Sequence, residues 1–135
     1  MSQEGDENVR SCVLDASALL ALLHSEPGGE VVEDLLSAAV ISSVNWSEVV
    51  QKALERKAYQ QGMRQEAESL GLVILPFTSE QAERTAHLRQ QTRHLGLSLG
   101  DRACLALAAE LRLPAVTTDR VWKDLEVGVE IRTVR

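Results

Sequence analysis

Aromatic residues are scarce in this sequence, at 3% of its 135 residues. A surface that binds single-stranded nucleic acid by base stacking needs several aromatic side chains, so this kind of binding platform is not supported. No apolar run approaches the roughly 20 residues that cross a bilayer, which argues against a membrane protein. The cysteines, Cys12 and Cys104, have no CxxC spacing and lie in apolar surroundings. We therefore expect buried free thiols in a cytoplasmic protein.

Positive charge is also in short supply, with 14 Lys and Arg against 20 Asp and Glu and a net charge of −6. This balance disfavours a protein that coats nucleic acid through bulk positive charge. It does not disfavour an enzyme that grips one phosphate through bound cations. Residues 1–10 are polar and acidic and lack the apolar core of a secretion signal. We expect a flexible N-terminal tail over 1–10 and a single domain over 11–135.

Short apolar segments alternate with amphipathic segments along the chain. Those with strand character cover residues 12–15, 40–42, 72–75, 115–117 and 129–134. Those with helical periodicity, bounded by glycine, proline or capping residues, cover 16–23, 30–38, 46–60, 64–70, 78–93 and 99–111. Strands that alternate with helices indicate an α/β fold with a mainly parallel sheet.

Four carboxylates stand out by their position, namely Asp15, Glu48, Asp101 and Asp119. Asp15 and Asp119 follow apolar strands, whereas Glu48 and Asp101 are expected in the first turns of helices. Asn45 or Ser43 is the expected cap of the helix that carries Glu48. Helix N-termini and strand C-termini lie at the same edge of an α/β sheet. We therefore expect all four carboxylates to meet at one edge.

Each of these carboxylates also has a local structural explanation. Asp15 can cap the helix after it, Asp119 can form an Asx turn, and Asp101 can complete a capping box with Ser98. Glu48 can likewise stabilise the start of its helix.

A cluster of all four is harder to explain locally. Two like charges about 4 Å apart repel by roughly 4 kcal/mol at an effective dielectric of about 20. A divalent cation removes this cost, and carboxylate oxygens are the ligands that Mg²⁺ or Mn²⁺ prefers. The pattern therefore predicts a Mg²⁺ or Mn²⁺ site of the kind that cleaves phosphodiesters.

Three segments carry a resemblance to a known family: VLDASALLALL at 13–23, NWSEVVQKAL at 45–54 and LSLGDRACLALAAELRLPAVTTDRVW at 97–122. In this order and spacing, the sequence resembles the PIN-domain ribonucleases, and most closely the VapC-type toxins of toxin–antitoxin pairs. The resemblance implies a three-layer α/β fold with a five-stranded parallel sheet flanked by helices. It also implies a metal-dependent endoribonuclease whose catalytic and metal-binding residues are Asp15, Glu48, Asp101 and Asp119.

The resemblance has implications for neighbouring hydroxyls and for partners. Ser17 and Thr117 match positions where the family often has Ser or Thr near the metal, and either hydroxyl can orient a carboxylate or a metal-bound water. Helix capping by Ser17 and strand preference at Thr117 are the alternatives. The implied partners are an RNA substrate, a small VapB-type antitoxin and a second copy of the chain in a homodimer.

Basic residues near the expected site are candidates for RNA contacts, namely Arg93, Arg102, Arg120 and Lys123. Lys52, Arg56 and Lys57 lie further along their helix and are interpreted as a solvated helix face. Their charge is ordinary for a surface helix. We therefore expect the first four residues to steer RNA towards the carboxylates.

Several other functions compete with a toxin ribonuclease. A non-catalytic PIN-like interaction scaffold is disfavoured because all four carboxylates are retained. A housekeeping PIN nuclease of RNA processing stays open. A receiver-type phosphotransfer domain needs an early acidic pair and a lysine at a late strand end, and the segments 12–15 and 115–118 lack these features.

Overall fold

The computed structural model of the protein describes residues 9–135. The strands are β1 (Cys12–Leu14), β2 (Ala39–Ser42), β3 (Val73–Leu75), β4 (Ala115–Thr117) and β5 (Ile131–Thr133). The α-helices are α1 (Ala16–Leu23), α2 (Gly29–Leu35), α3 (Ser43–Glu55), α4 (Met63–Ser69), α5 (Ser79–Thr92) and α6 (Leu99–Leu111). Short 3₁₀ helices cover Leu36–Ala38, Arg93–Leu95 and Arg120–Asp124. Over the described range, no helix is long and apolar enough to cross a membrane. The predicted tail falls outside this range except for its last two residues.

The five strands form one parallel sheet in the order β3-β2-β1-β4-β5. The chain first moves outward from β1 to β3, and then returns to the other side of β1 to form β4 and β5. The strand order therefore reverses between β1 and β4, which is where open α/β sheets bind ligands at their carboxyl ends. The predicted α/β fold with a five-stranded parallel sheet is confirmed.

Apolar side chains pack on both faces of the sheet, as a covered parallel sheet requires. On β1, Cys12 and Leu14 belong to one buried cluster while Val13 belongs to the other, because successive strand residues point to opposite faces. The first cluster includes α1 and α2, and the second is built largely from α6. Trp122 is completely buried in the second cluster, and both cysteines are free and buried.

The helix that carries Glu48 begins earlier than its sequence pattern predicts. It starts at Ser43 instead of Trp46, because Ser42 ends β2 in an extended conformation and its hydroxyl caps the helix by accepting from Val44 N at 3.1 Å. Glu48 therefore lies in the second helical turn, and its predicted place in the first turn is wrong.

The same helix also ends earlier than predicted, at Glu55 instead of Gln60. Lys57 has a positive φ of 56°, a left-handed conformation that a continuing α-helix cannot contain. The Ala58 N–H returns to the Ala53 carbonyl at 2.7 Å and closes the helix end. This turn separates α3 from α4.

Candidate active site

The four predicted carboxylates line one cavity at the carboxyl edge of the sheet. Asp15 follows β1 and Asp119 follows β4, the two strands between which the strand order reverses. Glu48 reaches the same cavity from α3, and Asp101 reaches it from the first turn of α6. The cavity has a volume of about 220 Å³, and its remaining lining residues are Ala16, Ser17, Leu20 and Lys52.

Asp15 is the most deeply placed of the four, with 4% of its surface exposed. Its carboxylate accepts hydrogen bonds from Thr117 Oγ1 at 2.5 Å, Ser17 Oγ at 2.8 Å and Ala18 N at 2.8 Å. Burial raises the pKa of Asp15 to about 6, since desolvation outweighs the three hydrogen bonds that lower it. The nearby Asp101 charge adds to this rise. A negative charge on Asp15 at neutral pH is therefore poorly compensated by the protein itself.

Two hydroxyls fix the orientation of the Asp15 carboxylate. Ser17 Oγ donates to Asp15 and accepts from Thr118 N at 3.0 Å. Thr117 Oγ1 donates to Asp15 Oδ2 and accepts from Asp119 N at 3.0 Å. Both predicted hydroxyls thus contact Asp15, and together they connect the end of β1 to the segment that carries Asp119.

Asp101 and Asp119 have the local contacts that their sequence positions suggest. Asp101 and Ser98 form a reciprocal capping box, with Ser98 N donating to Asp101 Oδ2 at 3.0 Å and Asp101 N donating to Ser98 Oγ at 3.1 Å. Asp119 Oδ1 accepts from Val121 N at 3.0 Å at the start of a 3₁₀ helix. Local capping and a place on the cavity wall are therefore compatible for both residues.

Sequence reasoning missed two residues around Glu48. The Asn45 amide donates to Glu48 Oε1 at 3.0 Å. Lys52 lines the cavity, whereas its sequence position predicts a solvated helix face. Burial raises the pKa of Glu48, the Asn45 hydrogen bond lowers it, and the Asp101 charge raises it. The spacing of Asn45, Glu48 and Lys52, three and then four residues, places them on one helix face and was the available signal.

The predicted RNA-contacting residues occupy two kinds of position. Arg93, Arg120 and Lys123 are exposed, but they do not line the carboxylate cavity. Arg102 is only 8% exposed, and its Nη1 donates to the Thr85 carbonyl of α5 at 2.8 Å. Its guanidinium therefore joins α6 to α5 and does not face a ligand, so we do not retain Arg102 as an RNA contact.

The residues that line the cavity suit a hard divalent cation by their donor chemistry. Across residues 9–135, no three Asp, Glu, His or Cys groups are already gathered tightly enough to hold a metal ion. Mg²⁺ does not need such a group, because it keeps several waters and commonly binds through one or two carboxylates. Asp101 raises the pKa of both Asp15 and Glu48, so these carboxylates already repel one another across the cavity. A bound cation would relieve that repulsion.

Comparison with known proteins identifies relatives of the whole fold. The model of the PIN domain family matches residues 12–128. A toxin–antitoxin complex from Klebsiella pneumoniae is similar at a TM-score of 0.71 and 26% identity, over 88% of this chain and 95% of that one. DNA-bound VapBC from Salmonella typhimurium gives a TM-score of 0.71 at 18% identity, over 94% and 100%. Mycobacterium tuberculosis VapC20, a Sarcin-Ricin loop cleaving toxin, gives a TM-score of 0.68 at 15% identity, over 89% of this chain and 99% of that one. No curated protein sequence matches the chain.

The family match covers the three segments that carry the sequence resemblance, at 13–23, 45–54 and 97–122. The family match spans every residue that lines the cavity, from Asp15 near its start to Asp119 near its end. The structures at 18% and 15% identity share the fold. The predicted resemblance to the PIN-domain family is confirmed by the family match, and the similar structure at 26% identity is a toxin–antitoxin complex. The chain therefore belongs to the PIN domain family.

Proposed function

We propose that this protein is a Mg²⁺- or Mn²⁺-dependent endoribonuclease and the toxin of a type II toxin–antitoxin pair. The observation that carries the proposal is the convergence of Asp15, Glu48, Asp101 and Asp119 on one cavity at the switch point of the sheet. These four residues would hold the metal. When bound, such an ion activates water for attack on a phosphodiester and stabilises the charge that develops. The similarity to toxin structures supports the same function.

The protein's own residues orient the carboxylates and attract the substrate. The Ser17 and Thr117 hydroxyls hold the Asp15 carboxylate in one orientation. Lys52 adds a positive charge to a cavity wall whose other residues are acidic, apolar or hydroxyl-bearing, and we assign it a contact with the RNA phosphate. Arg93, Arg120 and Lys123 are exposed and would steer RNA by long-range attraction.

Cleavage of RNA under controlled metal conditions tests the proposal. We expect cleavage with Mg²⁺ or Mn²⁺, none with EDTA, and a loss of at least about a hundredfold in Asp15→Asn and Asp101→Asn. Glu110→Gln is the matched control, because Glu110 is an exposed carboxylate on α6 outside the cavity. It should cleave like the wild type. Cleavage that survives both EDTA and the two Asp substitutions would contradict the proposal.

A growth assay separates the toxin from the two alternative functions. Expression of a toxin should arrest growth, and co-expression of the protein encoded beside it should restore growth. A housekeeping nuclease would cleave RNA in vitro without that arrest. A non-catalytic scaffold would show neither activity, with Asp15→Asn behaving as the wild type.

An apolar groove formed by α1, α2, α3 and α4 supports an antitoxin partner. The groove has a volume of about 370 Å³ and includes Leu23, Trp46 and Leu70. Leu23 and Leu70 are 44% and 57% exposed, so a large apolar surface faces outward. Glu33 and Glu66 also line the groove, which favours a partner segment with apolar side chains and basic residues. We propose that the antitoxin binds here.

Leu70→Asp tests the groove with little risk to folding, because Leu70 is exposed. We expect it to weaken the antitoxin complex at least about tenfold while RNA cleavage by the free toxin is unchanged. Leu54→Asp is the matched control, since Leu54 is 56% exposed and lies outside the groove. If Leu70→Asp and Leu54→Asp bind the antitoxin with equal affinity, the groove is not the antitoxin-binding surface. The predicted homodimer is checked in the same samples by light scattering.

A further inference from the structure

The Glu48 carboxylate lies where α3 meets the first turn of α6. Asn45, one turn earlier on α3, is only 1% exposed. Its Nδ2 donates to Glu48 Oε1 and to the Gly100 carbonyl, both at 3.0 Å. A single buried amide therefore holds Glu48 and ties α3 to the first turn of α6.

The chemistry of the two contacts determines both the residue at position 45 and its orientation. Glu48 Oε1 and the Gly100 carbonyl are both acceptors, so a group with at least two N–H donors, such as the NH₂ of Asn45, is needed to satisfy the two together. Turning the amide over would bring Asn45 Oδ1 against two acceptors. A side chain without two donors, such as Asp or Leu, cannot make this connection.

Gly100 provides the space into which the Glu48 carboxylate fits. A Cβ built on Gly100 would overlap the carboxylate, lying 2.5 Å from its carboxyl carbon and closer still to Oε2. Gly100 lies in the first turn of α6 and is not among the glycines with positive φ, so backbone freedom does not account for it. Glycine is unfavourable within a helix relative to alanine. The absence of a side chain at Gly100 is therefore what makes room for the Glu48 carboxylate.

We propose that Asn45 and Gly100 are positioning residues, which together form a seat that holds the Glu48 carboxylate at the cavity. Asn45 supplies the hydrogen bond and Gly100 supplies the space. The purpose of the seat, to present Glu48 to a divalent cation, rests on the proposed function. The seat itself rests on contacts within the chain.

Gly100→Ala separates positioning from folding. The atoms that must move are at the flexible end of Glu48, and alanine favours a helix, so we expect a folded protein that is at least as resistant to urea as the wild type. We nevertheless expect its Mn²⁺ dissociation constant, measured by calorimetry, to rise about 10- to 100-fold. Asn45→Ala should weaken Mn²⁺ binding to a similar extent.

A double-mutant cycle shows whether Gly100 acts through Glu48. In a Glu48→Ala background, Gly100→Ala should cause no further loss of Mn²⁺ affinity, because the carboxylate that it displaces is absent. The metal-free protein gives an independent readout, the NMR resonances of the Asn45 side-chain NH₂. Gly100→Ala should move these resonances in the same direction as Glu48→Ala.

Two results would overturn the seat: wild-type Mn²⁺ affinity in Gly100→Ala, or Asn45 NH₂ resonances that this substitution leaves unmoved. If the wild-type protein binds no Mn²⁺, the proposed function fails instead. In that case the Asn45 resonances alone decide whether the seat exists.

Discussion

Replacing Asp15 with Asn should stabilise the metal-free protein at neutral pH while removing a proposed metal ligand. Asp15 is almost completely buried, and desolvation is the largest influence on its pKa. Without a cation, folding at neutral pH therefore buries an uncompensated charge. The Asn amide carries no charge, and its oxygen can still accept from Ala18 N, as Asp15 does at 2.8 Å.

The size of this effect follows from the pKa of Asp15, which is about 6 in the folded protein against an ordinary value of 3.8. A raised pKa means that the folded state binds the proton more tightly than the unfolded state. The stabilisation of the folded state by protonated Asp15 is therefore complete below the ordinary pKa, and it is lost as the pH rises through about 6, the pKa of Asp15 in the folded protein. At about 1.36 kcal/mol per pH unit, the loss is about 3 kcal/mol.

Urea unfolding in EDTA at a series of pH values measures this loss. The free energy of unfolding of the wild type, minus that of Asp15→Asn, should fall by about 3 kcal/mol between about pH 3 and pH 7.5. Taking the difference cancels groups that titrate alike in both proteins. A difference that stays flat, or that rises with pH, would refute burial as the dominant influence on Asp15.

Mn²⁺ should reverse the order of stability. At a concentration one thousand times its dissociation constant, a ligand that binds only the folded state adds about 4.1 kcal/mol, which exceeds the loss of about 3 kcal/mol. The wild type should gain this stabilisation at neutral pH, and Asp15→Asn should gain much less. Equal gains in the two proteins would show that Mn²⁺ binds without Asp15.

Three further substitutions probe the surroundings of the cavity. Thr117→Val removes the hydroxyl that contacts Asp15 and Asp119 N, so it should cost about 1–3 kcal/mol in urea unfolding. Because that hydrogen bond lowers the pKa of Asp15, its loss should also move the acidic limb of the cleavage profile to higher pH. Arg102→Met removes the hydrogen bond from Arg102 to the Thr85 carbonyl and should cost about 1–3 kcal/mol, while the folded fraction retains metal-dependent cleavage. Lys52→Gln is tested in the Asp15→Asn background, which should bind RNA without cleaving it. It should weaken RNA binding and lower the slope of log affinity against log salt by about 0.7, as the loss of one phosphate contact requires. Arg64→Gln is the control, because Arg64 is exposed and ion-paired on α4, and it should leave the slope unchanged.

The sheet and the four carboxylates were predictable because both depend on local patterns and on one topological rule. Buried parallel strands leave short apolar runs in the sequence, such as Ala115–Thr117. Residues that follow such strands, like Asp15 and Asp119, must then lie at the carboxyl edge of the sheet. No knowledge of side-chain packing was needed to place them there.

The contacts between helices were not predictable in this way. Nothing in the local sequence shows that Arg102 is covered by α5. Lys52, which is ion-paired with Glu55, has the sequence surroundings of any solvated helix residue. The pairing of Asn45 with Gly100 joins residues 55 positions apart and exists only because α3 packs against α6. The start of α3 was misplaced because Ser42 both ends a strand and caps a helix, with no loop to mark the boundary.

The position of bound Mn²⁺ tests the central claim most directly, since the four carboxylates are proposed to form a metal site. Anomalous diffraction from crystals grown with Mn²⁺ at neutral pH measures it. We expect a peak inside the cavity, about 2.1 Å from an oxygen of at least one of Asp15, Glu48, Asp101 and Asp119. The same peak should be absent from crystals of Asp15→Asn. Mn²⁺ bound only elsewhere on the protein, with none in the cavity, would contradict the claim.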